Sequence, residues 1–254
     1  MQCIVSGATV PEPQPVRYKV PYETASLDAV AYRAPSAEAP LLILAHGAGA
    51  GQHSGFITAF AHALVTRGVS VTTFDFPYIQ HGRKVPDRPP VLEGAWMAML
   101  RFMSSQTTGG LFVGGKSMGG RIASQVLAGS TSAGSTWGPP SGGLVTEVGR
   151  IIGLVLLGYP LYPPGKPQQR RTAHLGALRV PTLIVQGARD AFGTATEVAE
   201  AFAVCPAPVQ IMRVEGGDHS FKVPRGAGPQ RTVDERIRDA VAAWINERFQ
   251  QNPG

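Results

Sequence analysis

Leu111-Phe112-Val113-Gly114-Gly115-Lys116-Ser117-Met118-Gly119-Gly120-Arg121 is the stretch on which the fold turns. A short apolar run passes straight into glycines and a serine. Behind it Met118, Ile122, Val126 and Leu127 recur at helical spacing. A continuous apolar run of this length suits a strand buried on both faces of a parallel sheet. Strand, tight glycine turn and helix therefore follow one another within about twenty residues.

Other segments repeat the alternation. Leu41 to Ala45 is an apolar run that ends in His46-Gly47-Ala48-Gly49-Ala50-Gly51, and Phe56, Phe60, Leu64 and Val65 then follow a helical period. Val69 to Phe74 reads as the next strand, then a long Pro/His/Arg loop from Asp75 to Pro90. Leu92, Trp96, Met99, Leu100 and Met103 mark a helix face. Ile151–Leu157, Pro181–Gly187 and Val209–Val214 read as further strands, with a second long loop from Tyr159 to Arg171. Helices are expected near 195–204 and through Val233, Ile237, Val241, Trp244 and Ile245. Residues 129–143, rich in Gly, Ser, Thr and Pro, read as a surface loop. Strands alternating with helices predict an α/β fold with a mostly parallel, doubly wound sheet and no large lid domain. The expected boundaries are an irregular Pro-rich segment over 1–16 and one domain over 17–250. In such sheets functional groups gather beyond the carboxyl ends of the strands.

Composition narrows the classes of function. The 254 residues are 43% hydrophobic and 16% charged, a globular balance. No apolar run approaches the ~18–20 residues that span a bilayer, so no membrane association is expected. The first residues lack a basic segment followed by a long apolar one, so no secretory leader is expected and a cytoplasmic location is the default. The two cysteines, Cys3 and Cys205, are too few for a disulfide framework or a cysteine-based zinc site. The net charge of +6 is scattered, without a long Lys/Arg run or an interleaved aromatic platform, so nucleic acid is not an expected partner.

Gly115-x-Ser117-x-Gly119 sits between a strand and a helix, the context in which the pattern means a sharp, strained turn that exposes a serine. A rival pattern overlaps it. Gly110 to Ser117 also satisfies the phosphate-loop expression G-x-x-x-x-G-K-[ST]. In a phosphate loop a strand precedes the first glycine. Here Ser104 to Gly109 is not strand-like, and Leu111-Phe112-Val113 is the strand itself. The nucleotide reading predicts Mg²⁺-dependent binding that depends on Lys116.

A serine hydroxyl needs a base to take its proton, and the base needs a carboxylate to fix its tautomer. Asp190 follows the strand ending at Gly187, and His219 follows the last strand, in Gly216-Gly217-Asp218-His219-Ser220. The order Ser117, Asp190, His219 is the one expected of this turn type. The bland readings are a helix N-cap for Asp190 and a solvent-exposed loop residue for His219. Asp218 points away as a direct neighbour of His219, and Asp75 is a fallback acid. An oxyanion hole is expected from the backbone N–H groups of Met118 and Ala48. His46 reads as structural, bonding within its own loop. The other histidines show no spacing suited to a metal, so neither metal nor cofactor is expected. His81, Arg83, Lys166 and Arg170, on the two long loops, are candidate contacts for an anionic acyl substrate; the alternative is a solvated loop face.

With these residues assembled the chain resembles a branch of the α/β hydrolases. This is a family of dienelactone-hydrolase-like enzymes that also contains a testis-expressed protein and regulatory subunit 3 of the NSL complex. The resemblance spans roughly residues 41–248. It rests on His46-Gly47-Ala48-Gly49, Phe74-Asp75-Phe76-Pro77-Tyr78, Gly114 to Arg121, Gly158-Tyr159-Pro160-Leu161, Gln186 to Asp190 and Gly217-Asp218-His219-Ser220. It implies a compact fold without a large lid and the same three residues, Ser117, Asp190 and His219. It departs from the dienelactone hydrolases in carrying serine where those use cysteine. The leading expectation is a serine hydrolase that cleaves a carboxylic ester or related acyl bond of a small molecule. The alternative is a catalytically inactive interaction module of the same fold.

Overall fold

The computed structural model describes residues 14–107, 110–129 and 151–252. The expected irregular segment falls outside them up to residue 13, as does the loop expected at 129–143 from residue 130 onward. The strands are β1 (Val16–Tyr22), β2 (Ala25–Tyr32), β3 (Leu41–Ala45), β4 (Ser70–Phe74), β5 (Leu111–Lys116), β6 (Ile151–Leu157), β7 (Thr182–Gly187) and β8 (Val209–Val214). They form one sheet in the order β1-β2-β4-β3-β5-β6-β7-β8. From β4 to β8 every pairing is parallel; β1 pairs with β2, and β2 with β4, antiparallel.

Six helices accompany the sheet among the described residues: α1 (Gly55–Val65), α2 (Pro77–Gln80), α3 (Pro89–Ser104), α4 (Met118–Leu127), α5 (Ala195–Phe202) and α6 (Gln230–Gln251). Strand side chains alternate between faces, and the core divides accordingly. Leu41, Ile43 and Ala45 of β3 join Trp96, Met99, Ile122, Val126, Val198 and Phe202 from α3, α4 and α5. Leu42 and Leu44 join Ile57, Phe60 and Leu64 of α1 and Val241, Trp244 and Ile245 of α6 on the other face. Both faces of the central strands are thus covered, which is why those strands read as unbroken apolar runs. Each large apolar side chain taken from water contributes about 1.5–3 kcal/mol, so the two layers dominate the stability of the frame.

Two features correct the sequence reading. The β1–β2 hairpin had not been expected, and the long loop after β4 contains the helical turn α2, begun by Pro77 and anchored by the fully buried Tyr78. Among the described residues no helix is long and apolar enough to cross a membrane.

Candidate active site

Parallel pairing sends the carboxyl ends of β5, β7 and β8 to one edge, and the expected residues meet there. Ser117 lies between β5 and α4 with φ 51° and ψ −117°. This left-handed conformation is rare for a side-chain-bearing residue and stores strain at a functional turn. The helix must cross close over the strand for this to happen. A Cβ at Gly115 would stand 2.4 Å from Gly120 N, and one at Gly119 would stand 2.5 Å from His46 O. Only glycine fits either position. The Ser117 amide is held by Leu157 O at 2.9 Å.

His219 sits in the loop beyond β8. Its Nδ1–H donates to Asp190 Oδ2 at 2.7 Å, and its Nε2 accepts the Ser117 hydroxyl at 2.8 Å. Serine, imidazole and carboxylate therefore form a continuous hydrogen-bonded chain. Asp190 is 2% exposed. It also accepts from the Phe192 amide at 2.8 Å and from Gln186 Nε2 at 2.9 Å. The N-cap of α5 is Thr194, in a reciprocal capping box with Glu197, so Asp190 is not that cap. Asp218 turns away, its Oδ1 accepting the amides of Ser220 and Lys222. Asp75 is taken up by Gln52, through its amide at 2.6 Å and its Nε2 at 3.1 Å. It stands apart from His219.

The loop after β3 is braced from below. His46 is fully buried, with Nδ1–H to Gly47 O at 2.7 Å and Nε2 accepting the Phe76 amide at 3.3 Å. Burial holds its pKa below the ordinary value, and the two bonds require the neutral ring. The Gly49 amide donates to Tyr78 Oη at 3.0 Å and the Ala50 amide to Gly47 O at 3.3 Å. Ala48 lies between them, on the wall of a hollow of about 540 Å³ that contains Ser117 and His219. Met118 follows Ser117 as the first residue of α4, where an N–H has no intrahelical partner and the helix dipole favours negative charge.

Ala48, Ala50, Phe56, Ile57 and Phe192 give the hollow an apolar wall, and Lys116 and Lys222 stand at it. His81, Arg83, Lys166 and Arg170 do not line it and are exposed. The reason lies in their loops. Tyr78 on one loop and Tyr159 and Leu161 on the other are buried, so the charged residues between them face outward. Arg83 pairs instead with Asp87 at 2.6 Å. A hollow of about 600 Å³ near Arg33, Ser70 and Gln106 lies at the amino ends of the strands, away from these groups. Among the described residues no cluster of His, Cys, Asp or Glu is arranged to hold a metal ion.

Three contributors were not singled out from the sequence. Gln186, fully buried, binds Asp190 and also accepts the Tyr159 amide at 2.7 Å. A polar residue closing an otherwise apolar strand was its signal. Phe192 places its ring 4.2 Å from the centre of the His219 ring, tilted 33°. Lys116, weighed only as a phosphate-loop lysine, donates to the His219 carbonyl at 2.7 Å.

A family model described as an alpha/beta hydrolase domain matches residues 38–247. Among solved structures, a dienelactone hydrolase from Anabaena variabilis is similar, with a TM-score of 0.67 at 15% identity over 93% of this chain and 98% of that one. Est1E from Butyrivibrio proteoclasticus, solved with ferulic acid bound, gives 0.68 at 16% identity over 92% and 99%. An alpha-beta serine hydrolase homologue from Coxiella burnetii gives 0.65 at 16% identity over 93% and 99%. At such identities the likeness speaks for the fold. Taken with the match over most of its length, the strand order and the turn at Ser117, the chain belongs to the α/β-hydrolase family.

Proposed function

We propose that the protein is a metal-independent serine hydrolase that cleaves a carboxylic ester or related acyl bond through an acyl-enzyme on Ser117. The observation that carries this reading is the unbroken chain of hydrogen bonds from Asp190 through His219 to Ser117. Such a chain lets the imidazole take the serine proton while the buried carboxylate steadies the imidazolium that forms.

In this mechanism Ser117 Oγ attacks the carbonyl carbon as its proton passes to His219 Nε2. The carbonyl π electrons move onto oxygen, which accepts hydrogen bonds from the Met118 and Ala48 amides. One such donor is worth about 10²–10³ in rate. The tetrahedral intermediate collapses, the carbon–oxygen bond to the alcohol breaks, and the alcohol takes the proton from His219. Water, deprotonated by the same imidazole, then releases the acid and restores Ser117.

The apolar wall favours a small ester with an uncharged acyl group, as does the outward placement of His81, Arg83, Lys166 and Arg170. The test is a panel of short acyl p-nitrophenyl esters of varied charge. Neutral members should be hydrolysed, with at least a thousandfold loss in Ser117→Ala. Hydrolysis undiminished in that variant would refute the reading.

A further inference from the structure

Lys116 is left over from the chemistry above and from the phosphate-loop pattern alike. Its sequence neighbours place it. Along β5 the side chains alternate, so Gly115 faces α4 while Lys116 faces the side of the sheet that carries α1, α6 and Phe221. There it meets the loop that carries His219, 103 residues away in the chain.

We propose that Lys116 is a positioning residue that latches the His219 loop to the end of the strand bearing Ser117. Its Nζ donates to the His219 carbonyl at 2.7 Å and lies 5.2 Å from the centre of the Phe221 ring. Phe221 itself has φ 62°, and its buried ring belongs to the core layer on that side, 6.2 Å from the Phe56 ring. Space for the ammonium exists because residue 158 is glycine. A Cβ there would stand 3.0 Å from Lys116 Nζ and 3.2 Å from the His219 carbonyl oxygen.

Among the described residues no carboxylate lies within ion-pair distance of Lys116 Nζ. Lys116 is half-buried, and withdrawing an ammonium from water without such a partner carries a cost. The compensation here is a charge-assisted bond, roughly twice as strong as a neutral one, and the face of an aromatic ring. Both partners belong to the His219 loop. The phosphate-loop role does not fit: Leu111 to Lys116 is a strand of the sheet, not a loop, and the ammonium is committed to the His219 carbonyl.

Burial lowers the Lys116 pKa to about 8, against the opposing pull of Asp190 and Asp218. His219, Asp190 and Asp218 on the packed loops, and Lys222 at the same hollow, are the titratable groups around it. The ammonium is therefore charged below about pH 8, where the latch is strongest, and weakens as pH rises through that value.

The role rests on the serine-hydrolase reading, and the experiment separates the two. In Lys116→Met, kcat should fall at least tenfold with KM changed less than threefold, and the alkaline decline near pH 8 should vanish. Lys116→Cys should show the same loss. Alkylation with 2-bromoethylamine rebuilds an ammonium at lysine length and should restore most of kcat, whereas iodoacetamide should not. Wild-type kcat in Lys116→Met, or equal rescue by both reagents, would overturn the latch alone. Should wild type hydrolyse no ester, the hydrolase reading is what fails. The latch is then read from the low-field His219 Nδ1–H proton resonance, retained in wild type and lost in Lys116→Met; its survival in the variant overturns the latch.

Discussion

At the scale of single residues, Asp190 is the most constrained group in the site. Its carboxylate accepts from His219, the Phe192 amide and Gln186. An amide there would turn its NH₂ toward at least one of those donors and disfavour the tautomer that His219 needs. Asp190→Asn is therefore expected to lower kcat by on the order of 10³–10⁴ with little change in KM, measured on the best ester of the panel. Thr194 is the contrasting residue. Thr194→Ala removes a helix cap worth about 1 kcal/mol and should leave kcat unchanged. Ser117, Asp190 and His219 were legible in the sequence because each stands just past an apolar run. Gln186, Phe192 and Lys116 were not, because their contacts depend on which chain segments pass one another. The four loop cations lie outside the hollow for the complementary reason: charge is visible in a sequence, the direction a loop faces is not.

At the scale of elements, the turn between β5 and α4 sets the backbone conformation of Ser117. Gly115→Ala would set a methyl group against the Gly120 amide and the Gly119 carbonyl carbon, both backbone atoms that cannot step aside. A loss of about 3 kcal/mol or more is expected, lowering Tm by about 6–12 °C and abolishing ester hydrolysis. An unchanged Tm would show that α4 can shift without disturbing the site. The central strands and their helices were legible since double burial leaves unbroken apolar runs. The β1–β2 hairpin was not. β1 is an edge strand, and it alternates polar with apolar residues (Arg17, Lys19 against Tyr18, Val20) rather than forming a run. Its two-residue turn uses Glu23 at φ 52° and Thr24, without the Asn-Gly or Gly-Gly signal that marks such hairpins.

At the scale of the whole molecule, buried histidines tie stability to pH. Burial, and then the nearby Arg121, push His174 down to about 4. Between the ordinary value of 6.5 and about 4 the unfolded chain binds this proton and the folded chain does not, so stability falls as pH falls. The window is worth on the order of 3 kcal/mol. His46, neutral for the same reason, adds in the same direction. The urea midpoint of wild type should drop more steeply from pH 7 to 4.5 than that of His174→Gln; parallel curves would show that His174 does not set the acid sensitivity. The frame that makes such burial tolerable is the two-layered sheet, which also holds Ser117 Oγ 2.8 Å from His219 Nε2. The most direct measurement of that claim is peptide mass spectrometry after treatment with a fluorophosphonate. A single adduct on Ser117, absent in Ser117→Ala and strongly slowed in His219→Ala, is the expected result. A protein that stays unmodified, or one labelled at another residue, would contradict it.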